Sequence, residues 1–151
     1  MDKLLYDGAE IGFVFCLPLR LFMNWGFVTV PVNEAAEFVS RYKDIKIVVD
    51  NINYSEFTAM TEVAQKCKNV FLGTASETMY NGIEYLVEGV GSDRLLGGTA
   101  SPLQMPSCGI VKITNAAITD DDKIKLLGLN TEKLLGISAT SEIQEAREEG
   151  I

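Results

Sequence analysis

The sequence predicts an α/β fold with a parallel sheet, and three observations carry that prediction. Four short apolar or β-branched runs, at residues 12–17, 45–50, 69–74 and 93–97, are nearly unbroken by polar side chains, as strands buried on both faces read. The segments between them carry helical periodicity. Strand and helix then alternate along the chain, so neighbouring strands are joined by covering helices and pair in parallel. With right-handed crossovers, two architectures remain: an open doubly wound sheet or a piece of a βα barrel.

Taken in order, residues 2–10 form a short helix before the first strand. Ala35, Phe38, Val39 and Tyr42 recur at i, i+3, i+4 and i+7, while Glu34, Glu37 and Arg41 point elsewhere, which predicts a helix covering a sheet. Phe57, Met60, Val63, Ala64 and Cys67 repeat the pattern, and Ile83, Leu86, Val87 and Val90 repeat it again, closed by Gly91 as a C-terminal cap. A last helical region begins at Thr119, whose hydroxyl caps the following amides. Asp120, Asp121 and Asp122 favour its positive end, and Gly128 is expected to end it. Asn130 is then expected to cap a short helix through Leu135. Residues 1–137 read as one βα domain and 138–151 as a charged, helix-prone tail.

Length and composition narrow the function classes. At 151 residues the chain suits one well-buried domain but falls short of the roughly 250 residues of a complete eight-fold barrel. The 21 acidic against 13 basic residues give a net charge of −8. That field opposes nucleic acid and anionic membranes as partners. The run Asp120–Asp122 and the acidic segment 145–149 read as solvated faces. Consecutive carboxylates point in different directions around a helix and do not converge on a cation.

Cys16, Cys67 and Cys108 have neither metal-type spacing nor an even count, so neither a disulfide framework nor a zinc site is expected, and a reducing cytoplasm fits best. With no histidine in the chain, the usual cysteine–histidine activation is impossible within one subunit. Cys16 is expected to be a small buried residue, Cys67 to lie on a helix's apolar face, and Cys108 to sit in a loop containing Pro and Ser. The apolar stretch 11–22 is interrupted by Arg20 and preceded by Asp2, Asp7 and Glu10. It is too short to span a bilayer and lacks the small-residue cleavage site of a signal peptide.

Two linked motifs carry a family resemblance. Residues 90–103, Val-Gly-Ser-Asp-Arg-Leu-Leu-Gly-Gly-Thr-Ala-Ser-Pro-Leu, resemble the last barrel strand of amidohydrolase-related proteins of the amidohydrolase 2 group. Residues 118–136 are similar to that group's closing helices, with their asparagine, basic residue and leucine pair. Weaker likenesses at 42–49 and 67–74 match entries into its sixth and seventh strands, extending the resemblance over residues 12–137. The resemblance implies half of a (βα)8 TIM-type barrel, strands five to eight, and descent from a metal-dependent hydrolase or decarboxylase.

The resemblance also implies what has been lost. The group holds a divalent metal with histidines near the ends of its first, fifth and sixth strands and an aspartate after its eighth. Here the first strand is not represented. Leu17-Pro18 and Asp50-Asn51 stand at the next two places, and Ala100 stands where the aspartate would be. No metal site is expected of this chain alone; zinc or manganese enters only if a partner supplies ligands.

The rim at the strand C-terminal ends remains the place for any function, with Arg20, Asp50, Asn51, Asn53, Glu77 and Ser101 as binding candidates and Tyr54, Ser76 and Thr99 beside them. Asp50 and Glu77 can form a carboxylate pair or hold a hard cation, although capping of the following helix is the favoured reading. Arg20 can grip a carboxylate or phosphate, or pair with Asp50. Residues 51–54 read as a turn and cap before they read as ligands. Gly97-Gly98-Thr99 lacks the lysine and helix start of a phosphate loop.

A four-strand arc leaves unpaired edges and an uncovered apolar face, so association with a second copy or with a complementary half-barrel chain is expected. Three readings follow. The chain is a degenerate hydrolase active only with a partner's ligands, a non-catalytic binding or assembly protein, or a fragment whose remaining portion holds the site. In the third case Met1 lies inside a helix-like segment.

Overall fold

A computed structural model describes residues 2–20 and 30–137. Four strands, β1 (Phe15–Pro18), β2 (Ile47–Asp50), β3 (Val70–Gly73) and β4 (Leu95–Leu96), form one sheet in sequential order with every pair parallel. That order decides between the two architectures. A doubly wound sheet reverses its strand order at a switch point, whereas unbroken sequential order under crossovers of one hand keeps the helices on one face. The sheet is an arc of a βα barrel, with four of its strands.

The covering helices are α1 (Asp2–Glu10), α2 (Val32–Arg41), α3 (Phe57–Lys66), α4 (Gly82–Val90), α5 (Pro106–Thr114), α6 (Asp120–Ile124) and α7 (Asn130–Leu135). The periodic residues of the sequence form their inner stripes: Ala35 and Val39, Met60 and Ala64, Ile83 and Leu86 are all buried. They pack on alternate strand residues Ile47, Val49, Val70, Leu72 and Leu95 in one continuous core. The other sheet face carries Cys16, Val48 and Phe71 in register across three strands. Val48 and Phe71 are half-buried and Cys16 is exposed, so the expected burial of Cys16 is corrected: its face of the sheet is the open one.

Two other expectations change. Residues 106–114, read as a loop around Cys108, form α5; Pro106 opens it at a position where its missing N–H costs nothing. Gly128 interrupts the helical path as expected: at φ 167° and ψ −30° it kinks the chain within Lys125–Leu129, between α6 and α7. Asn130 is not a cap, since it is buried and its amide reaches back to the sheet. Gly91 at φ 90° and Thr119, whose Oγ1 accepts from the Asp122 amide at 3.2 Å, terminate and start helices as expected. The tail 138–151 lies outside the described residues.

Polar clamps bind the N-terminal ends of the strands. Asn69, just before β3, places Nδ2 within 3.0–3.1 Å of the carbonyls of Val39, Tyr42 and Ile45. Arg94, just before β4, donates from Nη1 to Ala64 O at 2.7 Å and to the carbonyls of Cys67 and Val70 at 3.3 Å, and from Nη2 to Val90 O at 2.9 Å. Asn130 donates to Ser92 O at 2.7 Å and Leu95 O at 2.8 Å. Each clamp satisfies carbonyls that a helix end or strand start would otherwise leave unpaired.

Candidate functional site

The C-terminal strand ends hold the residues singled out from the sequence, and most of them spend their polar atoms on one another. Arg20 follows β1. Its Nε donates to Glu56 Oε2 at 3.0 Å, its Nη2 donates to Ser55 Oγ at 3.0 Å, and the same nitrogen makes a close ion pair with Glu56 Oε1. Only 11% of the Arg20 side chain and 14% of Glu56 are exposed, so this is a largely enclosed pair. The expected Arg20–Asp50 contact is replaced by Arg20–Glu56. Burial alone would push the Glu56 carboxyl up, but the hydrogen bonds from Arg20 and Ser55 outweigh it and hold the group below its ordinary value.

Asn51, the residue after β2, sits in the left-handed region at φ 54°, which asparagine tolerates better than most residues. Its Nδ2 donates to Arg20 O at 2.9 Å, and its Oδ1 accepts from Ser76 Oγ at 3.2 Å. One side chain thereby ties the ends of β1, β2 and β3 together. Asp50 accepts from the Asn51 amide at 2.8 Å. Asn53 accepts from the Tyr54 amide at 2.7 Å, while its own amide donates to Glu56 Oε2 at 3.3 Å. The turn falls later than the expected 51–54: the Glu56 amide donates to Asn53 O at 3.0 Å, and no side chain caps α3.

Glu77 is buried, and its carboxylate accepts from the Met79 amide ahead of α4. Desolvation pushes its carboxyl up, opposed by that amide and by Lys112. The carboxylate acting on it is Glu84, whereas Asp50 acts on Cys16, whose thiol is raised by burial first and by Asp50 second. The carboxylates of Asp50 and Glu77 accept from separate backbone amides, those of Asn51 and Met79.

Lys112 was not a candidate in the sequence because its helix was read as a loop. From α5 its Nζ donates to the carbonyls of Thr74 at 2.6 Å, Glu77 at 2.9 Å and Ala75 at 3.3 Å. Burial lowers its pKa, partly offset by Glu77. With three carbonyls taking its three protons, it works as a pin for the loop after β3. Glu77, Asn81, Glu84, Lys112 and Asn115 line a cleft of about 240 Å³ at this place.

Beyond β4, Gly97 and Gly98 are fixed by close packing: a side chain on Gly97 would strike Leu126 O, and one on Gly98 would meet Ala75 Cβ at 2.9 Å. Close backbone approach accounts for the glycine pair, with no phosphate role. Ala100 adopts φ 51°, Ser101 is exposed, and Thr99 Oγ1 accepts from the Ser101 amide at 3.3 Å.

The residues present do not fit a bound divalent metal. Leu17-Pro18 after β1 and Ala100 after β4 offer no donor side chain at two of the strand ends, and Asn51 is spent on Arg20 and Ser76. Among the described residues, no three His, Cys, Asp or Glu side chains gather closely enough to hold an ion.

No protein-family model and no curated protein sequence matches the chain. Solved structures do. An uncharacterized TIM-barrel protein from Bordetella bronchiseptica superposes with a TM-score of 0.71 at 18% identity, covering 89% of this chain and 50% of that one. A 2,6-dihydroxybenzoate decarboxylase from Rhizobium gives 0.66 at 13% identity, covering 87% and 53%. An amidohydrolase from Burkholderia multivorans with bound zinc gives 0.65 at 10% identity, covering 90% and 57%. The chain spans about half the length of these proteins. Its fold is therefore that of half of a TIM barrel.

Proposed function

We propose that this chain is a non-catalytic binding or assembly protein built on a half-barrel scaffold. The observation that carries the reading is the state of the rim: the positions that the family resemblance assigns to metal hold Leu17-Pro18, Asp50-Asn51 and Ala100. Three of the four ligand positions lie on strands that this chain itself supplies. A complementary half would bring only the first-strand ligands, too few to hold a metal tightly. The enclosed Arg20–Glu56 pair and the Asn51 bridge point the same way, since their donors already have partners.

Association has its own support. Among the described residues, large apolar side chains other than tyrosine are exposed only at the two flanks of the sheet: Leu4, Ile11 and Phe13 before β1, and residues from Leu103 onward, such as Met105 and Ile110, beyond β4. The helices between the flanks expose none but Tyr85. Exposed apolar surface concentrated in this way marks contact sites. A second copy or a complementary half-barrel chain is the partner that such flanks suit. Among the described residues no helix is long and apolar enough to cross a membrane.

The competing reading is a degenerate hydrolase that regains activity when a partner completes its metal site, favoured by Asp50, the one acidic residue left at the assigned positions. Dialysis against zinc or manganese, followed by elemental analysis and light scattering, separates the two. The binding-protein reading expects no retained stoichiometric metal and a mass above that of one chain. One tightly held metal per chain, with hydrolysis or decarboxylation of an aromatic acid or amide, would overturn it.

A further inference from the structure

The cleft between α4 and α5 carries a charge balance that its own residues do not close. Glu77 and Glu84 line it together with Lys112, so two carboxylates stand against one ammonium. Lys112 gives its three protons to the carbonyls of Thr74, Ala75 and Glu77 and has none left for a carboxylate. Among the described residues neither glutamate has an ion-pair partner. They are near enough for the charge on Glu84 to act on Glu77.

Each glutamate commits one oxygen to a backbone amide and keeps the other. Glu77 Oε1 accepts from the Met79 amide, and Glu84 Oε1 accepts from the Ala117 amide at 2.7 Å. Glu77 is only 5% exposed, yet its Oε2 makes no hydrogen bond. Among the described residues no buried side-chain oxygen lacks a partner, so Oε2 is the part of Glu77 that stays accessible, and it opens on the cleft that the residue lines. Gly82 makes room for this carboxylate, since a side chain there would run into it. A carboxylate so enclosed, with a single amide donor, is costly to keep charged, and burial pushes its carboxyl up. A cation in the cleft removes that cost.

The walls select the kind of cation. Among the described residues no three ligating side chains gather here, so a tightly held divalent metal is not served. Ile83 and Ala116 are buried apolar residues in the wall, and a cleft of about 240 Å³ has room for a short stem behind a charged head. We infer that this cleft is a binding site for a primary alkylammonium, whose head donates to the uncommitted oxygens of Glu77 and Glu84 and whose stem lies against Ile83 and Ala116. The site uses none of the positions assigned to metal, so it stands whether or not those hold one.

Chemical-shift titration of the full chain with n-butylammonium chloride tests it. The amide signals of Met79 and Ala117 should move together and saturate with a Kd on the order of 1–10 mM, as befits so small a ligand. n-Butanol, the same stem without the charge, should bind at least about tenfold more weakly. Glu77→Gln keeps an acceptor for the Met79 amide and should weaken butylammonium by about tenfold or more. Glu62→Gln removes the same charge from an exposed position on α3 and should leave the affinity unchanged, which separates the site from the overall negative field. Competition by Nα-acetyl-lysine amide assigns the head to a lysine side chain of a partner, and lack of competition assigns it to a free amine; either result supports the site. Shifts that do not saturate, that follow n-butanol equally well, or that answer to butyrate instead overturn it. So does a folded E77Q chain with wild-type affinity, or an equal loss in E62Q. Should E77Q not fold, Glu84→Gln keeps the acceptor for Ala117 at a half-buried position. Butylammonium binding several-fold weaker in E84Q supports the site, and unchanged affinity overturns it.

Discussion

The N-terminal and C-terminal ends of the four strands use similar polar residues to different ends. At the N-terminal ends Asn69, Arg94 and Asn130 each gather backbone carbonyls from distant parts of the chain. At the C-terminal ends Arg20, Asn51 and Lys112 hold neighbouring loops in place, while Leu17, Pro18 and Ala100 stand where the family resemblance assigns ligands. Barrel folds separate stability from chemistry in this way, with chemistry at the C-terminal rim. The difference teaches that the fold does not depend on what the rim holds, because the clamps on the strand starts lie at the other end.

The sharpest way to break this comparison is Arg94→Ala. Four carbonyls from α3, β3 and α4 lose their donor, and those that stay buried pay the cost of an unmade hydrogen bond. We expect a loss of about 3–4 kcal/mol, read from urea unfolding at constant slope. Arg94→Lys should recover only part of it, since an ammonium lacks the planar fork that reaches both Val90 and the α3 carbonyls. A loss below about 1 kcal/mol for R94A would mean that the N-terminal ends do not carry the fold.

Asn130→Ala removes two bonds at the same end from a buried amide, and about 2 kcal/mol should be lost. Arg20→Ala at the rim sharpens the contrast. Its pair with Glu56 is enclosed but lies beside an exposed loop at Tyr54 and Ser55, and truncation should cost about 1 kcal/mol. If R20A cost more than N130A, the rim would be structural to the same degree as the clamps.

The fold was legible because its signals are repeated. Four apolar runs and three amphipathic stripes name the strands and α2 to α4, and their alternation names the parallel sheet. Helix α5 was hidden because Pro106, Ser107 and Gly109 read locally as a turn, whereas Gly109 packs so closely on Gly98 O that a side chain would not fit. The Gly-Ser-Asp-Arg run was legible as a motif but its work was not. That Arg94 reaches three carbonyls 24 to 30 residues away depends on the parallel register, which no local pattern contains. At the rim the residue types were found, but their pairing was not: Glu56 and Lys112 become partners only when loops from separate βα units meet.

Acid titration distinguishes the two ends by a different route. The folded-state pKa of Glu56 is depressed, so its contribution is fully present above the unfolded value of about 4.3 and fades as pH falls through the lower folded value. The clamps made by Asn69 and Asn130 carry no titrating group and persist. Unfolding followed from pH 6 to pH 3 should therefore show part of the stability lost below about pH 4.3 in the wild type, and a smaller acid loss in Glu56→Gln. Identical pH profiles for the two chains would show that Arg20 gains nothing from the charge on Glu56.

The smallest effect concerns the backbone at the rim beyond β4. Ala100 holds φ 51°, a left-handed conformation that disfavours alanine by roughly 1–2 kcal/mol and that aspartate and asparagine visit more readily. Ala100→Asp should therefore stabilise the chain by about 0.5 kcal/mol, with a rise in melting temperature of about 1–2 °C. It should still take up no zinc, because one added carboxylate makes no ligand set: Leu17 and Pro18 have no donor side chain, and Asn51 is committed to Arg20 and Ser76. Stabilisation without metal would mean that the turn after β4 favours a residue at ease at positive φ whether or not a metal binds. Destabilisation would mean that the positive φ at Ala100 is imposed by the loop through Ser101 and Pro102 and owes nothing to the residue it holds.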